Sequence, residues 1–409
     1  MAEPDVATVK VVVDGTHRVR ELTDTLDLLT ASLDQIGVTR VGVITGLDVI
    51  GVPVVMVMRP NGRSLSVSQG KGITLEAAKV SGIMEAVEAW HAENVLLPLR
   101  IATRNELAQV AHVSDPERLP RRTHSRYHDD LSILWVEGRD LMSGDARFVP
   151  YELVHLDYRV PGPQGTGCFA ATGSGLAAGN HLLEAVTHSL SELVERDAIT
   201  LFRHRAPDDR SARRIDLETV DNPICRSLLD RFEAADVLVA VWDLTSDIAC
   251  PVFQATIIDR SPDRSRRLPA AAGFGCHVNR GVALSRALTE AAQSRLTLIA
   301  GSRDDAPPSL YLEFREPSAI ERQLAGIADQ PTPRSFTDTP TADHPTLDAD
   351  VAHLLDALQD VGLTEAIMVD LTRPELEIPV VRMIVPGLEG YAEKVVDYRP
   401  GPRAMAVAP

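Results

Sequence analysis

Glu184, His188, Glu192 and Glu195 recur at helical spacing within Thr172 to Ala198, TGSGLAAGNHLLEAVTHSLSELVERDA. At about 100° per residue they fall within roughly 80° of one another, on one helix face. Carboxylates so placed repel one another unless a cation neutralises them. The stripe follows a loop of small residues with Gly173, Gly175 and Gly179, and bare backbone N–H groups at a helix start suit an anion such as phosphate. An anion site beside a carboxylate cluster points to Mg2+ bridging the two. A solvated acidic face is the plain alternative.

The same pattern occurs twice more. Gln69 to Ala92 and Gly273 to Leu296 also run from a Gly-x-Gly turn into a helix. Aligned by spacing, the helices carry Ser81, Glu85 and Glu88; His188, Glu192 and Glu195; and Arg286, Glu290 and Gln293. Each trio stands at i, i+4, i+7, which confines it to about 60° of a helix surface. Three helices alike in this way imply a duplicated element whose polar faces converge. On that reading Glu85, Glu88, Glu184, Glu192 and Glu195 hold Mg2+, while Lys71, between two glycines, meets a phosphate. Arg196 and Arg286, with Arg295 behind them, take the remaining phosphate charge. His188, set among carboxylates, is expected to be charged and to donate. Such a site positions a triphosphate for phosphoryl transfer.

Around these helices lies a second repeat. Val41 to Pro60, Val239 to Asp259 and Ile367 to Pro386 each read as strand, polar turn and Pro-Val entering a second strand, an antiparallel hairpin. Amphipathic helices precede them at Leu22 to Ile36, Ile224 to Ala235 and Val351 to Val361. Leu183, Val186, Leu190, Leu193 and Val194 oppose the acidic stripe and supply its core face. The fold class that follows is α+β, with antiparallel sheets flanked by repeated helix–hairpin–helix units. The polar, Pro-rich segment Gln330 to Thr346 reads as a mobile internal linker, and the tail after Val396 as an ordered extended segment.

With 409 residues and a net charge of −17, the chain can bury a large core and lacks the basic excess that sequence-independent nucleic-acid binding needs. The basic runs Arg121 to Tyr127 and Asp259 to Arg267 read as exposed loops. No secretory signal or membrane-spanning run is present, so a cytoplasmic location is expected. Cys168, Cys225, Cys250 and Cys276 show no metal-binding spacing. Buried thiols are expected; Cys168, next to the glycine loop, is the one candidate nucleophile. Neither a Walker A loop nor a dinucleotide fingerprint is present.

These motifs together resemble the YcaO proteins, ATP-dependent enzymes that activate peptide backbone amides. The resemblance rests on Ser81-x-x-x-Glu85-x-x-Glu88, on SGLAAGN leading to Glu184, Glu192 and Glu195-Arg196-Asp197, and on RALTEAAQSR from Arg286 to Arg295. It implies a catalytic domain over residues 41–409, preceded by a helical segment over 1–40. It also implies an ATP and Mg2+ site on Lys71, Ser81, Glu85, Glu88, Asn180, Glu184, Glu192, Glu195, Arg196 and Arg286; Glu192, Glu195, Arg286 and, from its place among the carboxylates, His188 are the expected catalytic groups. TGLDVIGVPVVMVMRPNGRSLSVSQGKG is similar to the subgroup found with a TfuA partner and associated with thioamidation. Two features depart from the family: Ala89 follows Glu88 where Arg is usual, and the chain ends PGPRAMAVAP rather than in the Pro-x-Pro-x-Pro of azoline-forming members. Thioamide formation on a peptide is therefore the first expectation, with azoline or amidine formation as the alternative. A non-catalytic ATP-binding scaffold and a plain carboxylate metal-binding protein are the rivals from other classes. The first forty residues are too few for a leader-peptide-binding domain, so substrate capture is expected to need a partner. A homodimer is expected by resemblance.

Overall fold

The computed structural model describes residues 7–13, 15–260, 268–303, 317–327, 331–390 and 398–409; most of the second basic run and the start of the tail lie outside them. All three hairpins form. Arg40–Val43 pairs with Val54–Met58, Val237–Asp243 with Val252–Asp259, and Ile367–Asp370 with Val380–Ile384, each antiparallel. Ahead of them lie the helices Leu22–Ser32, Pro223–Ala234 and Leu347–Asp360. Their apolar stripes face inward: Leu29, Phe232, Leu354 and Leu358 are fully buried, and each such side chain contributes about 1.5–3 kcal/mol by leaving water. The third helix starts earlier than its periodicity suggests because Thr346 caps it, accepting from the Ala349 N–H at 3.3 Å.

Each hairpin gains a third strand that leads into a long helix. Val67–Lys71 adds to the first hairpin and precedes helix Leu75–Glu93, and Ala271–Cys276 adds to the second and precedes helix Arg280–Ala300. The third unit is assembled from distant parts of the chain. Strand Leu176–Ala178 leads into helix Leu182–His204 yet pairs with Val380–Ile384. Leu99–Ala102, Ile133–Asp140 and Ala146–Pro150 widen this sheet to six antiparallel strands. The result is α+β, antiparallel sheets flanked by helices.

The glycines have a role other than the anion cradle expected of them. Gly70, Gly273 and Gly275 lie in strands, with the following helix packed directly on the backbone. A Cβ on Gly70 would stand 2.0 Å from the Ala78 carbonyl oxygen, and one on Gly275 2.2 Å from that of Ala283. Each long helix also touches the third strand of another unit. Leu75–Glu93 meets Leu176–Ala178, Leu182–His204 meets Ala271–Cys276, and Arg280–Ala300 meets Val67–Lys71. The three units thus close into a ring with their helices turned toward a common space.

Two connecting segments are more regular than their composition suggests. Within the supposed linker, Arg334–Ser335 pairs in parallel with Ile215–Asp216 and Phe336 is fully buried, stacked on Phe253 at 5.6 Å. Polar, Pro-rich composition does not register a single aromatic anchor. Past residue 397, Pro402–Val407 is helical rather than extended, and Arg403 pairs with Asp197 at 2.9 Å and Asp247 at 2.6 Å. Phe336→Ala should destabilise the protein by about 3–5 kcal/mol in urea denaturation; a loss below about 1 kcal/mol would contradict the anchoring.

Candidate active site

All nine residues of the three trios line one cleft of about 2000 Å³. Lys71, Glu184 and Arg196 line it too. On helix Leu182–His204 the division expected from periodicity holds: Val186, Leu190 and Val194 are buried on the core side while Glu192 and Arg196 are partly open to the cleft.

The backbone donors expected to bind phosphate are already engaged by carboxylates. Ala178 N–H donates to Glu88 at 2.7 Å, Gly175 N–H to Glu192 at 3.2 Å and Phe274 N–H to Glu290 at 3.2 Å. The helix starts are capped by the side chains of Thr74, His181 and Asn279. Carboxylates therefore satisfy the open strand edges, and phosphate binding falls to cationic side chains.

Those carboxylates are under electrostatic stress. Burial, against the pull of Arg303 and Lys71, raises Glu85 to about 7. Glu88 is pushed well above the usual carboxylate range by burial and by Glu85 and Glu192 beside it. Glu195 rises to about 7, again mainly through burial. Glu290 is lowered instead, because Lys71, 2.6 Å away, and Arg196 outweigh its burial. Arg196 also reaches Glu192 at 3.3 Å and Glu195 at 3.9 Å.

His188 corrects an expectation. Its Nε2 accepts from Arg286 Nη2 at 2.6 Å, and burial together with Arg286 holds its pKa well below the usual value. It is a neutral acceptor that orients Arg286, not a charged donor: arginine, which always donates, is nearer to it than the carboxylates of its own stripe.

Two other residues stand apart from the cleft lining. Arg295 is committed to Asp48 and Asp259, both at 2.9 Å. Asn180 supports Glu184 from behind, with Nδ2 at 3.3 Å. Glu290 completes the third trio and binds Lys71, a role its spacing signals. Arg18, which pairs with Glu184 at 2.8 Å, comes from a stretch that carries no motif and could not be found by spacing. The four cysteines are buried and free. Burial and Glu152 raise the Cys168 thiol, the opposite of what an activated nucleophile needs.

The site suits a nucleotide with a divalent cation. Buried carboxylates that resist ionising beside one another are relieved by a cation, and Lys71, Arg196 and Arg286 offer positive charge in the same cleft. Among the described residues, the only three His, Cys, Asp or Glu side chains whose ligand atoms lie within 4.8 Å of one another are His17, His277 and Asp350. The acidic trios are more widely spread, which accords with Mg2+ completing its shell with phosphate oxygens and waters.

The comparisons with known proteins agree. Residues 69–389 match the model of the family described as YcaO cyclodehydratase, ATP- and Mg2+-binding. The chain belongs to the YcaO family. It is 38% identical over 361 residues to an uncharacterised protein in the tfuA 3′ region of Rhizobium leguminosarum bv. trifolii, covering 87% of this chain and 85% of that protein. It is 34% identical over 388 residues to an uncharacterised protein of Methanothermobacter thermautotrophicus, covering 90% and 94%. In fold it is similar to the YcaO of Methanopyrus kandleri bound with AMPPCP and Mg2+, with a TM-score of 0.72, 22% identity and coverage of 93% and 94%. It is also similar to a heterocyclase in complex with substrate and cofactor, with a TM-score of 0.73, 24% identity and 95% of this chain covered; the match spans about half, 54%, of the heterocyclase. ATP and Mg2+ are the ligands of the family. No described helix is long and apolar enough to cross a membrane.

The raised pKa values give a test. With Glu85 and Glu195 near 7 when folded, against 4.5 ordinarily, the folded state binds protons more tightly than the unfolded chain between those values. Their stabilising contribution is present below about pH 4.5 and lost as pH rises through 7. Glu85→Gln should therefore raise the melting temperature at pH 8 more than at pH 5. Binding of Mg2+ with an ATP analogue at pH 7 should release protons, read by calorimetry in two buffers of different ionisation heat. Release unchanged in the Glu85→Gln, Glu195→Gln double variant would contradict the assignment.

Proposed function

We propose that this chain activates a backbone amide of a ribosomally made peptide or protein by ATP-dependent O-phosphorylation, and that its product is a thioamide. The convergence of all three trios on one cleft carries the reading. ATP with Mg2+ supplies the phosphoryl group that makes the amide oxygen a leaving group. Glu85, Glu88, Glu192 and Glu195 would hold the cation, with Glu184, paired to Arg18, beside them. Lys71, Arg196 and Arg286 neutralise phosphate charge, and His188 orients Arg286. Ser81 lies on the same face as Glu85, placed to hydrogen-bond a phosphate oxygen.

The thioamide assignment is supported by the relative in a tfuA region. A TfuA-like protein is the proposed partner in sulfur or peptide delivery, and a homodimer the proposed assembly. Azoline formation is the second reading, supported by the heterocyclase likeness in fold.

Incubation with ATP, Mg2+, sulfide and a candidate precursor peptide should replace one backbone oxygen by sulfur, seen by mass spectrometry. A loss of water would instead identify azoline formation, and nucleotide turnover with no change in the peptide would count against both. Glu192→Gln should lower turnover by about 100-fold or more. Full activity of that variant would identify a non-catalytic scaffold.

A further inference from the structure

His17, His277 and Asp350 form a cluster beside the acidic cleft that the nucleotide site does not use. Both histidines line the cleft, and the three residues are at most 7% exposed. The rings meet edge to face, centroids 4.3 Å apart. His17 Nδ1 stands 3.5 Å from Asp350 Oδ2. Burial would raise Asp350, but hydrogen bonds from His17, Lys10 and His344 hold it at about 2, so the carboxylate is ionised and His17 Nδ1 must carry the proton facing it. In the neutral ring Nε2 then carries the lone pair. His277 has the opposite tautomer: its Nδ1 accepts the Asn279 N–H at 3.0 Å, so its Nε2 holds the proton.

A metal ion would need these atoms in other states. Lys10 Nζ already sits 2.7 Å from Asp350 Oδ2, in the place of a cation, and a protonated Nε2 on His277 cannot ligate. Just after His17, Arg18 pairs with Glu184 at 2.8 Å, and residues before it are held as well. Lys10 and His344 grip Asp350 from one side, the latter at 3.0 Å; on the other, Gly15 O receives Ser285 Oγ at 3.5 Å, one residue before Arg286.

We propose that His17 is the general base of the amide-activation reaction, with Asp350 as its positioning residue. This rests on the reading above. Hydrosulfide adds to the amide carbon, the carbonyl π electrons move to oxygen, and that oxygen takes the phosphoryl group from ATP, releasing ADP. As the C–O bond breaks and phosphate leaves, the S–H electrons form the second C–S bond, and the proton passes to His17 Nε2 and then to solvent. The arrangement of a buried carboxylate fixing an imidazole tautomer is the general one for such bases.

The test uses the full chain. Nitrogen-15 spectra of histidine-labelled protein should show His17 protonated on Nδ1; protonation on Nε2 overturns the proposal whatever the activity. His17→Ala should keep its melting temperature and its calorimetric affinity for Mg2+ with an ATP analogue, lose sulfide- and peptide-dependent ADP release by about 100-fold or more, and regain part of it with added imidazole. Asp350→Asn should lose activity without imidazole rescue. Wild-type rates in His17→Ala, or a stoichiometric transition metal lost in His277→Ala, would overturn the base while leaving the amide-activation reading intact. A wild-type protein that binds nucleotide yet never modifies peptide would remove both.

Discussion

Desolvated carboxylates held within one cleft are the constraint on which this molecule turns. Glu85, Glu88 and Glu195 are each pushed upward by burial and by neighbouring carboxylates, Glu290 and Glu192 among them, and an isolated buried charge is costly unless paired or bound to metal. The cations at hand meet only part of the demand. Lys71 serves Glu290, Arg196 serves Glu192, and Arg18 serves Glu184. The remainder stays protonated or awaits a divalent cation, and that is how a site can be stable when empty yet receptive when filled.

The ring of three units is what makes such a concentration of like charge possible. The first two long helices lie flat on their own third strands, because glycine there leaves no Cβ in the way, and each of the three reaches across to another unit's strand. Glu88 accepts from Ala178, and Lys71 from the first unit meets Glu290 of the second. Pairing of this kind commits the edge strands to the cleft wall instead of leaving them open to other chains. The N-terminal strap then brings Arg18 and His17 to a rim that the three units alone do not complete.

Much of this was legible in the sequence, and its limits have physical causes. The i, i+4, i+7 trios and the hairpins are local patterns, so periodicity located both. Their convergence was inferable from repetition, though the third unit, joining Leu176–Ala178 to Val380–Ile384, was not. The glycines were visible but their reason was not, since spacing does not reveal a helix lying behind a strand. His188 was misread because its partner, Arg286, lies on another helix. His17 and Asp350, 333 residues apart, share no motif, and Phe336 was hidden by the polar composition around it.

A crystal structure with a non-hydrolysable ATP analogue and Mn2+ bears most directly on the central claim. The account predicts anomalous peaks among Glu85, Glu88, Glu192 and Glu195, with the phosphates against Lys71, Arg196 and Arg286. Nucleotide bound outside the ring of helices, or bound there with the metal held by other residues, would contradict it.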